Sequence, residues 1–567
     1  MEDKHVELGV MARSTSSDEI PHARSKGNAS RDDQEMAYFG KRQQLKRNFG
    51  FLSIAGFVCS LLSTWEGMFA VFLYGFQNGG PAGLVASFRL SLASTQTLVA
   101  YTNVRCSVRL HLLLRWYIMY RRKFGRDVLD VRIAFHREFL NLTSGLRMPL
   151  SGGQYHWVSI LAPKSHAKFL SYMTGWLTVI GWQAGQASMA FLCATLIQAL
   201  VILNHPTYVP ERWQATLIFY AVLAFILFVN TYLARWLPKI EGFVLCIHIL
   251  GFFGILIPLV YIAPHGKPSD VFATFINGGG WSSNGTSFFI GLITSVFSFL
   301  GADSACHMSE EVHNASTVIP WAMISSIVLN GVLGFALLIA LLFCLGDIDA
   351  ALTSATGFPF IEIFRGATNS NAAATGMTLV ILFILLAAAI GIMATASRLL
   401  WSFARDNGVP GSAYISRVHE PTALPIYSIL VSAVISLLLA LINIGSTAAF
   451  NSIVSVNVAA FFTSYMIPII LILKKRLRKD PIKDKIHWGP WKLGPILGPI
   501  ANIAGLIYST ITMFFSFWPN TQVVTPVTMN WSCVIFVAAI LYSVVFYMIW
   551  GKHAYKWPIV DPIRRRQ

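Results

Sequence analysis

The chain has 567 residues, of which 55% are hydrophobic and only 12% are charged, and its formal net charge is +17. Soluble globular proteins carry roughly 25% charged residues, so this composition excludes a water-soluble enzyme, a disordered protein and a collagen-like fibre. It predicts an all-α polytopic membrane protein. The basic excess fits a nucleic-acid partner, anionic lipid or the positive-inside rule, and the positions of the charges decide among these.

Three regions are expected along the chain. Residues 1–47 are predicted to form a disordered cytoplasmic tail, since the first fifty residues are polar and contain nine Lys/Arg and eight Asp/Glu. Residues 48–550 are predicted to form the transmembrane domain, and residues 551–567 a second cytoplasmic tail.

Eleven apolar segments are long enough to cross a bilayer, which takes about 20 residues of helix. They are Phe49–Phe76, Phe169–Leu203, Trp213–Leu233, Phe243–Ala263, Ser287–Met308, Ile319–Leu345, Met377–Phe403, Pro425–Ile444, Phe450–Leu473, Ile496–Trp518 and Val527–Trp550.

Basic residues in loops and tails set the orientation. They cluster before the first segment, between Lys474 and Lys485, and at Arg564–Arg566. These clusters share the cytoplasmic side only if the number of spans is even. One helix is therefore missing from the count, and it must lie between residues 77 and 168.

The segment Ala86–Leu150, where this helix is expected, has an unusual composition. It contains eleven Lys/Arg and three Asp/Glu, a net +8 that is nearly half of the charge of the chain. Its longest charge-free stretch, Leu90–Val104, has only 15 residues. An arginine at the bilayer centre costs about 2.5–3.5 kcal/mol, so this segment is not predicted to be an ordinary span.

Two acids interrupt apolar segments, Glu66 in the first and Asp303 in the fifth of the eleven. Ionisable groups inside a membrane indicate an ion or substrate pathway; the alternative is a buried acid with a purely structural role. Arg398 lies near the cytoplasmic end of its segment and is expected to snorkel to the surface.

Each acid lies in a short run of small residues that is able to interrupt a helix. Matching interrupted helices in two halves of a chain are typical of transporters built from inverted repeats; the alternative is two packing kinks. Trp65 favours a quaternary or protonated amine through cation–π contact. The candidate substrate-binding residues are Ser63, Thr64, Trp65, Glu66, Gly67, Gly301, Ala302, Asp303 and Ser304.

Several motifs resemble the amino acid–polyamine–organocation transporters, in particular the fungal choline, GABA and amino-acid permeases. The matching stretches are Asn48–Ser53, Asn78–Leu84, Ser151–Trp157, Gly301–Ser304, Met308–Val312 and Ser402–Pro410. This resemblance implies a twelve-helix, five-plus-five inverted-repeat fold with a substrate site between the interrupted first and sixth helices. It also implies a gating role or loop contacts for Glu310 and Glu311, which a solvated helix end would explain equally well.

The chain departs from this family at two places. Ser63–Gly67 lacks the Gly-rich run with which relatives hold a substrate carboxylate, so its acid and indole suit a cationic head group such as choline better. Ala86–Leu150 is foreign to the family pattern and its second helix is replaced or degenerate. We interpret the segment as intronic or out-of-frame translation; the rival is a genuine insertion. An eleven-helix product would invert every later helix and is not expected to transport.

The predicted function is secondary active uptake of an amine-containing solute, favouring choline or a related quaternary ammonium ion. Alternating access, proton coupling and the plasma membrane are expected, with the lipid bilayer as surroundings and no nucleic-acid partner. No enzyme motif, cofactor motif or metal-ligand spacing is present in the sequence. The alternatives are an amino-acid or GABA permease and, from another class, a nutrient sensor without flux.

Overall fold

The computed structural model describes residues 32–33, 36, 41–102, 150–346, 352–445, 447–478, 495–526 and 528–556. Within these ranges ten helices are long and apolar enough to cross a membrane, which makes the chain an integral multi-pass membrane protein. Most of the two predicted tails, and residues 103–149 of the anomalous segment, lie outside the described residues.

Two more helices, Gly80–Thr102 and the interrupted helix that begins at Asn284, bring the described part of the chain to the twelve that charge parity demands. Every predicted apolar segment overlaps one of them. In chain order they are α1 (Phe51–Leu62 followed by Thr64–Ala70), α2 (Gly80–Thr102), α3 (Lys164–Asn204), α4 (Arg212–Thr231), α5 (Leu237–Tyr261), α6 (Asn284–Phe297 followed by Ser304–His307), α7 (Ala315–Phe343), α8 (Asn371–Arg405), α9 (Ile426–Gly445), α10 (Thr447–Arg478), α11 (Leu497–Ser516) and α12 (Ser532–Phe546).

The first and sixth helices are interrupted, as the runs of small residues predict. In α1 the break is a single residue, Ser63, whose backbone is left-handed at φ 39° and ψ 50°. In α6 the break covers residues 298–303 and includes Gly301 at φ +92°. A side chain at Gly301 would be strained at this φ, and its Cβ would lie 2.8 Å from the side chain of Leu61.

α2 lies where the missing helix is expected. Its 23 residues reach about 35 Å at 1.5 Å per residue, enough to cross the hydrocarbon core. This helix is not among the ten that are apolar enough to count as ordinary spans. It nevertheless continues without interruption from Gly80 through Ala86 to Thr102. The helix therefore extends 17 residues into the segment for which no ordinary span is predicted, and twelve helices restore the orientation that eleven would invert.

Polar residues of α2 are accommodated by contacts with neighbouring helices. The hydroxyl of Ser87 lies 2.8 Å from that of Ser295 in α6, and the hydroxyl of Tyr508 in α11 lies 3.0 Å from that of Ser91. Phe88 is buried and packs on Phe299 with ring centroids 5.1 Å apart. Hydropathy measures none of these partners, which explains why composition alone does not identify this helix.

Helix α1 lies at the centre of the bundle and packs against α5, α7 and α8. The outer helices expose large apolar side chains, such as Leu250 in α5, Leu438 in α9 and Leu541 in α12, each more than half exposed. A surface of this kind is stable against lipid rather than water. The arrangement buries the two breaks inside the protein.

Two glycines test how closely α1 and α5 approach. A Cβ at Gly56 would lie 2.6 Å from the carbonyl oxygen of Glu241, whereas a Cβ at Gly242 would meet nothing within 4 Å. Alanine is favoured over glycine in a helix by about 1 kcal/mol, so Gly242→Ala is expected to keep or raise the free energy of unfolding. Gly56→Ala is expected to lower it by about 1–3 kcal/mol, because the two backbones must separate.

Thermal unfolding of the detergent-purified variants measures this difference. Equal midpoints for Gly56→Ala and Gly242→Ala would contradict the close approach of the two helices.

Candidate functional site

The break in α1 is held by one side chain of α7, the fully buried Asn330. Its Oδ1 accepts a hydrogen bond from the backbone N–H of Thr64 at 3.3 Å, and its Nδ2 donates to the carbonyl of Cys59 at 3.4 Å. Asn330 thus pairs with one backbone group on each side of Ser63. Such pairing is what a broken helix needs inside a membrane, where water is absent.

A cavity lies between the two breaks, and we call it the central cavity. Gly67 of α1 and Gly301 of α6 line it, together with residues of α3, α8 and α10. Its aromatic walls are Trp182, Phe297 and Phe461. None of the described residues that line this cavity carries a charge.

Two of the three aromatic side chains that line the central cavity pack edge to face. The rings of Trp182 and Phe461 meet edge to face, with centroids 5.0 Å apart and an interplanar angle of 74°. Nε1 of Trp182 and Oδ1 of Asn457, both in residues that line the central cavity, have no hydrogen-bond partner in the described part of the chain. The described residues that line the cavity thus include π faces, one unpaired donor and one unpaired acceptor.

Glu66 faces α5 and is not among the residues that line the central cavity. Its Oε1 lies 2.7 Å from Nδ1 of His248, and both side chains are fully buried. Trp65 is also fully buried and packs on the His248 imidazole, with ring centroids 5.6 Å apart. Oε2 of Glu66 and Nε2 of His248 lack partners within the described ranges. Each member of the pair thus keeps one polar atom without a partner among the described residues, and neither lines the central cavity.

Asp303 has different neighbours. Its Oδ2 accepts a hydrogen bond from Nε2 of Gln154 at 2.5 Å, and its Oδ1 accepts one from the hydroxyl of Tyr465 at 2.7 Å. Nε2 of His307 lies 3.4 Å from Oδ2. Asp303 lines a second cavity together with Gly301 and Ala302. The two intramembrane acids therefore belong to separate environments.

The remaining predicted residues surround the breaks. Ser63 forms the break in α1, and Thr64 begins the next helical segment with its N–H on Asn330. Ser304 begins the second segment of α6 and is fully buried. Of the nine candidate substrate-binding residues, Gly67 and Gly301 line the central cavity, and Gly301, Ala302 and Asp303 line the second cavity. A direct contact between substrate and any of the nine stays a prediction.

Glu310 and Glu311 form buried ion pairs with α8. Two guanidinium nitrogens of Arg405 donate to the two carboxylate oxygens of Glu310 at 2.7 and 3.0 Å, and Nε of Arg398 donates to Glu311 at 2.7 Å. The alternative of a solvated helix end is wrong, since the two acids are 0% and 5% exposed. The expectation that Arg398 snorkels is also wrong, because it is 1% exposed and paired.

The N-terminal segment closes over the same ion pairs. The side-chain amide of Gln43 donates to the carbonyl of Glu310 at 2.7 Å, and the backbone N–H of Phe49 donates to the carbonyl of Glu311 at 3.0 Å. The ammonium of Lys41 pairs with Asp406, which follows α8. We call this set of contacts between the N-terminal segment, the end of α6 and the end of α8 the cytoplasmic network, after the side of the membrane that the basic clusters predict for it.

Comparisons with known proteins agree with this architecture. Residues 133–539 match the family described as "Amino acid permease". The chain is 32% identical to a choline transporter of Saccharomyces cerevisiae over 511 residues, which cover 90% of this chain and 82% of that protein. The chain belongs to the amino acid permease family.

Two further members of the amino acid permease family show the breadth of the similarity. A putative amino acid/polyamine transporter of Macrophomina phaseolina is 29% identical, with coverage of 84% of this chain and 96% of that protein. An amino-acid permease of Neurospora crassa is 24% identical over 94% of this chain and 90% of its own length. These similarities identify a membrane transporter for amino acids or organocations.

Sequence reasoning missed several polar residues of this permease that lie inside helices. His248 and Asn330 each interrupt an apolar run, and Asn457 follows Ser455 by two residues in a largely apolar run; these polar residues were the available signal. Glu241 was missed because the predicted segment began at Phe243, whereas α5 begins at Leu237. Glu241 is fully buried and accepts a hydrogen bond from Ser60.

Proposed function

We propose that this permease takes up choline or a related quaternary ammonium ion across the plasma membrane by secondary active transport. The observation that carries the proposal is the central cavity, which combines three aromatic walls with the absence of charge among its described lining residues. A quaternary ammonium ion has no N–H to donate and is held by π faces, of which tryptophan offers the strongest. The similarity to a choline transporter supports the same substrate class.

The two free polar atoms of the central cavity suit the hydroxyl of choline. Such a hydroxyl both donates and accepts, so it is able to satisfy Oδ1 of Asn457 and Nε1 of Trp182, which have no other partner within the described ranges. An amino acid would instead bring a carboxylate, and no Lys, Arg or His lines this cavity in the described part of the chain. Choline is therefore favoured over an amino acid or GABA.

Uptake of radiolabelled choline, GABA and amino acids by a permease-deficient cell tests the substrate class. Trp182→Ala is expected to raise the KM for choline about 5- to 30-fold, equivalent to about 1–2 kcal/mol of lost cation–π binding. Trp182→Phe keeps an aromatic face and is expected to raise it less. A matched control is Trp213→Ala, which removes an exposed tryptophan at the start of α4.

Faster uptake of an amino acid than of choline would contradict the substrate assignment. Choline uptake with an unchanged KM in Trp182→Ala would contradict the central cavity as the binding site. Signalling without any flux would favour the nutrient sensor.

Proton coupling is assigned to Glu66 and His248. The pair joins α1, one of the two broken helices, to α5, and its total charge changes when a proton arrives or leaves. Movement of the second segment of α1 relative to α5 would change how well a proton is held between the 2.7 Å partners. Binding of substrate at Gly67, in the same segment, would therefore be coupled to protonation at Glu66.

Glu66→Gln removes the titrating carboxyl while keeping its size. In proteoliposomes with an imposed pH gradient, this variant is expected to lose accumulation of choline, because the driving proton is no longer carried. Exchange of internal for external choline is expected to persist, since exchange needs no net proton movement. Glu420→Gln, at an exposed acid, serves as the control and is expected to retain both activities. Gradient-driven accumulation by Glu66→Gln at the wild-type level would refute the assignment.

Alternating access requires a closed cytoplasmic side, and the cytoplasmic network provides it. The carboxylate of Glu310 accepts two hydrogen bonds from Arg405, whose guanidinium also lies 4.4 Å from the centre of the Trp401 ring. Opening toward the cytoplasm would have to separate the end of α6 from the end of α8. Glu310 and Glu311 are thus proposed as gating residues.

A native cysteine reports on this gate. Cys306 lies in the second segment of α6 and is 6% exposed. Glu310→Gln weakens the pair with Arg405, so labelling of Cys306 by a membrane-impermeant maleimide from the cytoplasmic side is expected to become about tenfold faster. Glu310→Gln combined with Cys306→Ser identifies the labelled residue, and Glu420→Gln controls for loss of an acid. Unchanged labelling would contradict the gating role.

A further inference from the structure

The second cavity lies beside the break in α6. It shares only Leu300 and Gly301 with the central cavity. The shared residues belong to the nonhelical part of α6, so this stretch of backbone separates the two spaces. We call the second space the cytoplasmic cavity.

The order of residues along α10, unlike that along α6, extends this cavity further toward the cytoplasm than the central cavity. Both helices run toward the cytoplasmic side, where α10 ends in a basic cluster. On α10 the central cavity is lined by Asn457 and Phe461, whereas the cytoplasmic cavity is lined by Phe462, Tyr465, Pro468 and Ile469. A solute that leaves the central cavity toward the cytoplasm meets this second space next.

The cytoplasmic cavity contains what the central cavity lacks, a carboxylate. Asp303 is 5% exposed, and its two shortest contacts come from neutral donors, Gln154 and Tyr465. Each carboxylate oxygen thus keeps accepting capacity. Nδ1 of His307 lies 2.9 Å from the carbonyl of Ser151 and Nε2 is 3.4 Å from the carboxylate, so His307 is a longer contact than either neutral donor. A buried carboxylate without a close Lys or Arg favours a cationic ligand.

A second polar atom also points to a ligand. Gln154 is 1% exposed and lines the cytoplasmic cavity, and its amide nitrogen donates a hydrogen bond to Asp303. Its Oε1 has no hydrogen-bond partner among the described residues. An unpaired buried carbonyl oxygen costs about 1–3 kcal/mol, and an ammonium or hydroxyl group in the cavity would relieve that cost.

The walls of the cytoplasmic cavity have the chemistry of a site for an organic cation. Trp157, Phe299, Phe462 and Tyr465 contribute aromatic rings, and Asp303 contributes the negative charge. Aromatic faces combined with one carboxylate attract a quaternary or protonated amine, both by Coulomb energy and by cation–π contact.

We propose that the cytoplasmic cavity is a second organocation site, in which Asp303 holds the ammonium group after it leaves the central cavity. The inference rests on the proposed transport of an organocation and adds a distinct site on the release side. The central cavity selects the cation by its aromatic walls, and the cytoplasmic cavity draws it past Leu300 and Gly301 by charge. Asp303 is then a binding residue of the second site alone.

Saturation binding of radiolabelled choline to the purified full-length protein in detergent tests this inference. The wild type is expected to bind two cations per chain. Asp303→Asn keeps the size and an acceptor for Tyr465 but removes the charge, and it is expected to bind one. Trp182→Ala is expected to weaken the other site, and Asp270→Asn, at an exposed acid outside the bundle, is expected to bind two. A monodisperse profile by size exclusion shows that each variant is folded.

A further variant keeps the test independent of Asp303. Phe299→Leu removes one aromatic wall of the cytoplasmic cavity and none of the central cavity. It is expected to weaken only the site that Asp303→Asn abolishes, by about 2- to 30-fold.

Each other outcome overturns a defined part of the assignment. One cation per chain, lost in Trp182→Ala and unaffected by Asp303→Asn, would overturn the second site and leave the proposed function standing. One cation per chain, lost in Asp303→Asn and unaffected by Trp182→Ala, would overturn the two-site arrangement and the central cavity as the substrate site. Absence of choline binding would overturn both proposals.

Discussion

A helix that breaks inside a bilayer must find new partners for the backbone groups that the break frees, because hydrocarbon offers none. In α1 the partner is Asn330 of α7, whose amide group pairs with the N–H of Thr64 and the carbonyl of Cys59. An aliphatic side chain at this position would leave the N–H of Thr64 unpaired in a buried place, at a cost of about 1–3 kcal/mol, whereas the carbonyl of Cys59 would keep the N–H of Ser63 at 3.2 Å. The geometry of the whole site depends on this contact.

The break lets one short segment face two environments. After Ser63 the second segment of α1 directs Glu66 to His248 in α5, while Gly67, the next residue, lines the central cavity. Across the cavity Gly301 supplies the corresponding break in α6 at a φ that favours glycine. Substrate and proton are thus assigned to neighbouring residues of one moving element, which is a simple physical basis for coupling them.

Much of this arrangement follows from local sequence. The runs of small residues around Glu66 and Asp303 predict both interruptions, and charge parity predicts α2 from the positions of the basic clusters alone. What local sequence does not contain is the partner of each polar group. Glu66 pairs with a residue 182 positions away, and the burial of Arg398 depends on Glu311, 87 positions away. A hydropathy scale assigns each of these residues a penalty for burial and takes no account of the distant contacts that offset it. For this reason it wrongly predicts that Arg398 lies at the surface.

The buried acids of the described chain fall into two groups according to the partners that their carboxylates have. Glu310, Glu311, Asp406 and Asp32 are each paired with Lys or Arg at the end of the bundle that the basic clusters predict to be cytoplasmic. Glu66, Glu241 and Asp303 have as partners only hydroxyl, amide or imidazole groups in the described ranges. A carboxylate that already holds a guanidinium or ammonium has little attraction left for a passing cation, and removing its partner is costly, so it suits a gate that stays shut.

A carboxylate with neutral or titratable partners behaves differently, because its charge is not compensated until a proton or an organic cation arrives. In this permease Glu66 and Glu241 lie at the interface of α1 and α5 and Asp303 lines the cytoplasmic cavity, whereas Glu310, Glu311 and Asp406 lie at the ends of α6 and α8. We therefore propose that the separation of compensated from uncompensated acids distinguishes the residues that hold the protein shut from those that bind what it moves.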